Sequence, residues 1–513
     1  MAMKEAQEAR LLVAGGLLLA ILGAVVRLWH VSVTPMWLDE AYSAYAAGKS
    51  FGFLWVVVPR YETHPPFYYT LLKLWTLVFG DGLVAERALG LAAGLIAPFV
   101  IAWSAGAAAE GLGWEPRRQR LAAFVAFALA ALAIPLVEMS REVRPYPVMI
   151  LVYALAVRAL IGIARVRSEG RRLAGPAFGV YLLCLEWMLW LHNLGPLWAA
   201  ALGLACLAAF LASRARPADG GWFVAGHMAV ALFYLPALDI LLDQAPTWVK
   251  STWLTFGLGG LSDHLPVLYA VPGWQGLAAV VLLILAVAVL AREVRGRRLL
   301  AMLLVLAIVP TALSILLSMT VAPVFITRTL TPVAVPWLVL LALGAAGARD
   351  KAAWIGAGAA LMLVLNMLAV DGQQRAAGPF QNWYGAVAWL QQRHAPDDLI
   401  LAYPNEGALP LERALKDKGL DWRVIAVPRP VPAFDADGWH PTGSRGVISL
   451  PRPHLEAIAR APEIAQVRRV WLLRLGNTTY DPGDMFLNAL RRDRRITGRF
   501  VAGPIDIIGL ELR

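Results

Sequence analysis

Trp37-Leu38-Asp39-Glu40 lies just past the first long apolar stretch, and His64-Pro65-Pro66-Phe67-Tyr68-Tyr69 follows it in the same connector. Two adjacent carboxylates and a histidine at the mouth of a membrane helix are costly to keep near hydrocarbon, so they point to chemistry at the bilayer surface. Carboxylates so placed can act as general bases or as ligands of a divalent ion. More ionisable residues stand beside later apolar stretches: Ser140-Arg141-Glu142-Val143-Arg144-Pro145-Tyr146, Leu191-His192-Asn193 and Thr327-Arg328.

The elements that must position these residues are membrane helices. The chain has 513 residues, of which 59% are hydrophobic and 16% charged, too apolar for an ordinary soluble protein. The net charge of +11 comes mostly from Lys and Arg in short connectors, where such residues set topology, so nucleic-acid binding is a poor reading. Cys184 and Cys206 both fall inside apolar stretches, and no disulfide framework or cysteine zinc site can be argued from them. Met1 to Arg10 and the apolar run that follows read as the first span, since no small-residue cleavage site precedes Arg27.

About eleven apolar runs, at roughly 11–30, 84–106, 121–138, 145–164, 174–192, 194–213, 222–241, 274–291, 299–319, 331–348 and 352–370, approach the length that crosses a bilayer. The connectors Arg117 to Arg120, Arg165 to Arg172, Arg214 to Arg216, Arg292 to Arg298 and Arg349 to Lys351 are short and basic, and the positive-inside rule places them in the cytoplasm with the N-terminus. Pro66 to Gly80 is apolar but short, and counting it as a span would invert every later basic loop. It is expected as an interfacial or re-entrant helix on the outer face, started by Pro65-Pro66. With that parity the first outer loop, 31–83, and the turns that carry Glu142, His192 and Arg328 all face outward. Charges skewed to outer ends favour a site that opens to that face over a transporter, whose charges more often sit at the midplane.

Beyond Asp371 charges rise and strands alternate with helices. Helices are expected at Gln381 to His394, Gly407 to Leu415 and Pro482 to Arg492. Strands are expected at Leu399 to Ala402, Trp422 to Val427, Arg468 to Leu473, Ile496 to Val501 and Asp506 to Leu512. Pro428 to Ser444 shows no periodicity. The chain therefore divides into a transmembrane domain, 1–370, and a soluble extracytoplasmic α/β domain, 371–513. No GxGxxG or Walker motif supports nucleotide binding.

The order of these motifs, with Glu86-Arg87 between them, resembles the membrane glycosyltransferases of the GT-C fold. The match is to the protein O-mannosyltransferase and aminoarabinose transferase superfamily, over roughly the first 350 residues. The resemblance implies a polytopic helical enzyme that moves a sugar from a polyprenyl-phosphate donor to an acceptor glycan, lipid or protein outside the cytoplasm, by direct displacement. A sugar on a lipid phosphate already has a good leaving group, so cations must hold the departing phosphate. Arg144 and Arg328 are the first candidates, with Arg60, Lys49 and Lys250 behind them, because the arginine fork can hold two phosphate oxygens. Asp39 is the candidate general base, with Glu40 and Glu142 as further acids and His64, Tyr146 and His192 as substrate contacts. The sequence departs from the usual pattern at Asn193 and Thr329, where aromatic residues are common.

Each residue has a plainer reading. Asp39 could be a helix N-cap, Glu40 a solvated loop residue, Glu142 and Arg144 a surface ion pair, His64 a brace for the Pro-Pro turn, His192 a packed histidine and Arg328 a snorkelling side chain. Asp39, Glu40, Glu142 and His64 are donors a divalent metal accepts, yet no short-spaced ligand motif marks a metal site. A lipid or sugar transporter and a polysaccharide ligase with a lipid diphosphate donor are the competing functions. Richness in Ala, Leu, Gly and Arg favours a bacterial inner membrane.

Overall fold

The computed structural model describes residues 2–29, 31–212, 217–251, 254–269, 276–434, 450–476, 480–481 and 483–513. Up to residue 377 it is helical: α1 (Ala2–Leu28), α2 (Leu38–Gly48), α3 (Phe67–Phe79), α4 (Leu83–Gly111), α5 (Pro116–Leu132), α6 (Ile134–Ser140), α7 (Tyr146–Ser168), α8 (Pro176–Leu191), α9 (Gly195–Leu211), α10 (Pro217–Ser251), α11 (Leu261–Leu268), α12 (Gly276–Leu290), α13 (Val294–Thr320), α14 (Thr327–Leu330), α15 (Ala334–Gly347) and α16 (Asp350–Ala377).

Among the described residues, seven stretches are long and apolar enough to cross a membrane: α1, α4, α7, α10, α13, Thr327–Gly347 and α16. The bent pair α5–α6 makes an eighth. Helices α8, α9 and α12 are apolar but have only 16, 17 and 15 residues. These helices coincide with the apolar runs of the sequence, although not every run has the length of a full span. Exposed Leu17, Leu18 and Ile21 on α1, and Leu232 and Phe233 on α10, present apolar faces suited to acyl chains. The protein is a multi-pass membrane protein. At 13 residues, α3 is too short to span, as the charge pattern requires.

The α5–α6 break has a specific cause. Pro135 lacks the N–H that would bond the carbonyl of Ala131, and the helix axis turns by 55° there. Buried Arg27 of α1 replaces the missing donor, with its guanidinium 2.5 Å from the Ala131 oxygen and 3.3 Å from that of Ala130.

Contacts divide the chain into two compact units. The helical unit contains Met1–Trp29, Arg87–Leu238 and Leu254–Ala376; the mixed unit contains His30–Glu86, Asp239–Trp253 and Ala377–Arg513. The whole of the first outer loop, 31–83, including α2 and α3, thus belongs to the same unit as the C-terminal residues.

In the mixed unit β1 (Leu399–Tyr403), β2 (Val424–Ala426), β3 (Arg469–Leu475), β4 (Arg494–Ala502) and β5 (Ile505–Leu512) form one sheet in the order β2-β1-β3-β5-β4. The β1–β2 and β1–β3 pairs are parallel, whereas β3–β5 and β4–β5 are antiparallel. Alternate side chains go to opposite faces, as strand geometry demands. Ile400, Ala402, Trp471 and Leu473 pack with α17 (Trp383–Gln391) and α18 (Ala408–Asp417). Leu399, Leu401, Val470 and Leu472 pack on the other face with α19 (Arg452–Arg460) and, beyond the short α20 (Pro462–Ala465), with α21 (Met485–Arg491). The expected α/β domain is present, with α19 as an addition. Of the aperiodic stretch 428–444, residues 435–444 lie outside the described residues.

Candidate active site

In the helical unit three of the expected residues gather on a fourth, Tyr146, the first residue of α7. Arg328 donates from Nε to the Tyr146 hydroxyl at 3.2 Å. The Arg144 guanidinium stands 5.7 Å from the centre of the Tyr146 ring, and the His192 ring lies 6.0 Å from it. Arg144, Tyr146 and His192 are buried, and Arg328 is partly so. The Leu194 N–H donates to His192 Nδ1 at 3.0 Å, which fixes that nitrogen as the acceptor and leaves Nε2 to carry the proton of the neutral ring.

Helix ends produce this convergence. Pro145 and Pro147 start α7, α8 stops at Leu191, and α14 opens on Thr327. The turn from Ser140 to Glu142 is pressed against α4 at Gly90 and Gly94, one helical turn apart. A Cβ on Gly90 would lie 2.9 Å from the Glu142 carbonyl oxygen, and one on Gly94 would collide with the Ser140 side chain. Only glycine allows α4 so close, the small-residue device common where membrane helices pack. Arg141 of the same turn pairs with Asp371 of α16 at 3.7 Å. Glu142 lies in this turn, half-buried, two residues before Arg144.

In the mixed unit, α2 begins one residue before Asp39. Trp37 is its N-cap, Asp39 and Glu40 occupy the first turn, and both are buried. The reading of Asp39 as an N-cap is therefore corrected. Glu40 accepts from the Trp37 N–H at 3.3 Å, the reach-back of a capping box, and a carboxylate in a first turn also suits the helix dipole. Glu40 therefore closes the helix end, whatever else it does.

The α/β elements hold α2 from several points. Gln381 Oε1 accepts from the Leu38 N–H at 3.0 Å and from Trp383 Nε1 at 3.1 Å. Leu38 packs with the core around Trp383 and Leu411, and the Tyr45 hydroxyl donates to the Val431 carbonyl at 2.8 Å. Buried Glu86 meets partly buried Arg413 at 2.5 Å, and Asp417 lies 2.9 Å from the same guanidinium. Burial works against the Arg413 charge, but Glu86 and Asp417 outweigh it and leave the guanidinium pKa above its ordinary value.

Behind α2 lies a buried phenol cluster: the Tyr42 and Tyr61 hydroxyls are 3.0 Å apart, and Tyr69 meets Tyr42 edge-on. Burial, with Tyr61 and Glu62 beside it, pushes the Tyr42 phenol well above its usual range, so it stays protonated. The backbone N–H of His64 donates to Glu62 Oε1 at 3.2 Å, so His64 sits in a turn braced by a buried acid. The weaker cation candidates rest on aromatic faces, Arg60 on Phe434 at 4.6 Å and Lys49 on Tyr45 at 4.3 Å. Lys250 falls in α10, and its side chain lies outside the described residues.

Two residues escaped the sequence reading. Glu62 is a third buried carboxylate of the first outer loop, and no spacing marks it. His264 bonds Thr327 at 3.2 Å, one residue before Arg328, from a segment without periodicity. Among the described residues no three His, Cys, Asp or Glu side chains are gathered as metal ligands, so no step below is routed through a metal.

By sequence, no protein-family model and no curated protein matches the chain. Solved structures do. The chain is similar to ArnT from Cupriavidus metallidurans in the apo state, with a TM-score of 0.59 at 12% identity over 99% of this chain and 98% of that one. The GT-C fold is thereby shown. ArnT bound to undecaprenyl phosphate gives 0.54 at 13% identity, covering 98% of this chain and 97% of that one. A GT-C oligosaccharyltransferase from Archaeoglobus fulgidus, in complex with Zn and sulfate, gives 0.50 at 13% identity over 95% of this chain and 71% of that one. The GT-C likeness read from the order of motifs is borne out at the level of fold.

Proposed function

We propose that the protein transfers a sugar from a polyprenyl-phosphate donor to an acceptor on the extracytoplasmic side of a bacterial inner membrane. The observation that carries this reading is the pair of arginines on Tyr146: Arg328 on its hydroxyl and Arg144 by its face, a ready cradle for a phosphate. The GT-C fold adds support, since ArnT of the same fold binds undecaprenyl phosphate.

The reaction is a direct displacement. An acceptor hydroxyl or amine attacks the anomeric carbon, the bond from that carbon to the phosphate oxygen breaks with its electrons, and lipid phosphate departs. Arg144 and Arg328 neutralise the charge that grows on the departing oxygens. Asp39 takes the acceptor proton as general base. Buried, and held in the first turn of α2, it is poised for that task. Glu40 keeps α2 closed at its N-terminus, Glu142 supports the turn that carries Arg144, and His192 offers its Nε2 proton to a substrate oxygen. His64, Arg60 and Lys250 remain substrate-contact candidates.

The test uses purified protein with polyprenyl monophosphate and diphosphate sugars and follows the sugar, the lipid phosphate and the acceptor. Stoichiometric release of lipid monophosphate and glycosylated acceptor is expected. Translocation with the glycosidic bond intact, or turnover of the diphosphate donor alone, contradicts it.

A further inference from the structure

The end of the helical unit opposite the Arg144–Tyr146 cluster is also built around cations. Helix α7 has 23 residues, about 34 Å at 1.5 Å per residue, so its last turn is far from Tyr146. There the C-terminal ends of α4, α7 and α9 and the first turns of α13 surround a cavity of about 200 Å³. Its walls are small and apolar, with Ala108, Ala164 and Ala208 among them, and Arg165, Arg167, Arg295 and Arg298 line it as well.

The four arginines are not equivalent. Arg167 is buried against Asp219 at 2.6 Å, and Arg165 pairs with Glu110 at 2.8 Å and with Glu169 at 3.1 Å. Arg295 and Arg298 are exposed, and neither has a carboxylate partner among the described residues. The cavity therefore carries two uncompensated positive charges above an alanine-lined floor. Basic pockets between membrane helices at the positively charged end of a bundle are suited to lipid headgroups.

We propose that this cavity binds an acidic glycerophospholipid of the leaflet facing the basic connectors, with its phosphate at Arg295 and Arg298 and the upper part of an acyl chain against the alanines. Charge complementarity selects the occupant: a headgroup with a net negative charge is matched by both arginines, whereas a zwitterionic headgroup brings its own ammonium and gains less. The bound lipid fastens α13 to α4, α7 and α9 at the end remote from the sugar-transfer site.

The test is native mass spectrometry of the full-length protein, taken from nanodiscs with equal phosphatidylglycerol and phosphatidylethanolamine. Wild type is expected to retain phosphatidylglycerol selectively. The double variant Arg295→Gln, Arg298→Gln should retain it roughly ten- to thirtyfold less, given the usual worth of a basic residue near an acidic membrane surface. Ala208→Phe, which fills the floor without touching charge, should lower retention too. Arg297→Gln should not, because Arg297 folds back onto the Ala291 carbonyl at 3.0 Å and does not line the cavity. Equal retention of the two lipids by wild type, or unchanged selectivity in the double variant, overturns the proposal. Displacement of the lipid by inorganic phosphate, with Ala208→Phe still binding phosphate, also overturns it and assigns a free-anion site. Should the double variant not fold, the lipid competition on wild type and Ala208→Phe decide.

Discussion

The cations around Tyr146 and the acids at the start of α2 are held in different ways. Arg144, Tyr146, His192 and Arg328 come from three helix ends of one bundle and are fixed by local turns, proline starts and a glycine-permitted approach of α4. Asp39 and Glu40 stand on an 11-residue helix that is short for independent stability, and the α/β elements grip it through Gln381, Trp383 and Val431. Under the proposed function this contrast becomes a division of labour, in which the bundle would hold the lipid phosphate and the α/β elements would fix the helix that carries the base. That gives the α/β domain a mechanical task within the proposed reaction.

Several variants break this comparison, in descending order of effect. Arg413→Ala leaves the buried Glu86 carboxylate without its cation and should cost about 3–5 kcal/mol, read as a lower melting temperature and faster proteolysis of the C-terminal domain. Arg328→Ala should reduce turnover by roughly 10²- to 10³-fold, the scale for losing a donor that stabilises transition-state charge, with donor binding weakened in parallel. A variant that turns over normally would remove Arg328 from the phosphate site. Gln381→Ala strips the acceptor from both the Leu38 N–H and the Trp383 indole and should cost about 1–3 kcal/mol. Its transfer rate should fall while donor affinity, measured by equilibrium binding, holds. A fall in donor affinity instead would blur the division between the two regions.

The smallest effect concerns acidity. Burial raises the Asp481 carboxyl above its ordinary 3.8, although the Phe486 N–H and Arg474 oppose it. The folded domain therefore keeps this proton to higher pH than the unfolded chain. The resulting stability is complete below the ordinary value and fades as pH rises through the raised one. Asp481→Asn should flatten that part of the pH–stability curve, followed by proteolysis of the C-terminal domain from acidic to neutral pH.

Most of the helical unit was legible in the sequence, because apolar runs and basic connectors are local signals. The shared outer placement of the Tyr146 residues was legible for a related reason: each charge sits where an apolar run ends, so order and parity put them on one face, whereas their meeting on Tyr146 was not. The grip on α2 was not. Leu38 meets Gln381 across 343 positions, Tyr45 meets Val431 across 386, and Glu86 meets Arg413 across 327, and no periodicity carries such pairings. A lone acid before a Pro-Pro turn carries no local signal of burial, yet Glu62 is buried under the turn it braces. Helix α19 starts among Pro451 and Pro453, residues that disrupt a helix interior but suit its first turn, so local composition carries no clear helix signal there.

The division of labour is tested most directly with purified Asp39→Asn, measuring polyprenyl-phosphate binding and sugar transfer on the same preparation. Wild-type affinity for the lipid phosphate is expected, with transfer reduced by roughly 10²- to 10⁴-fold, the range for losing a general base. Full transfer activity in Asp39→Asn, or loss of lipid binding without Arg144 or Arg328 being touched, would contradict it.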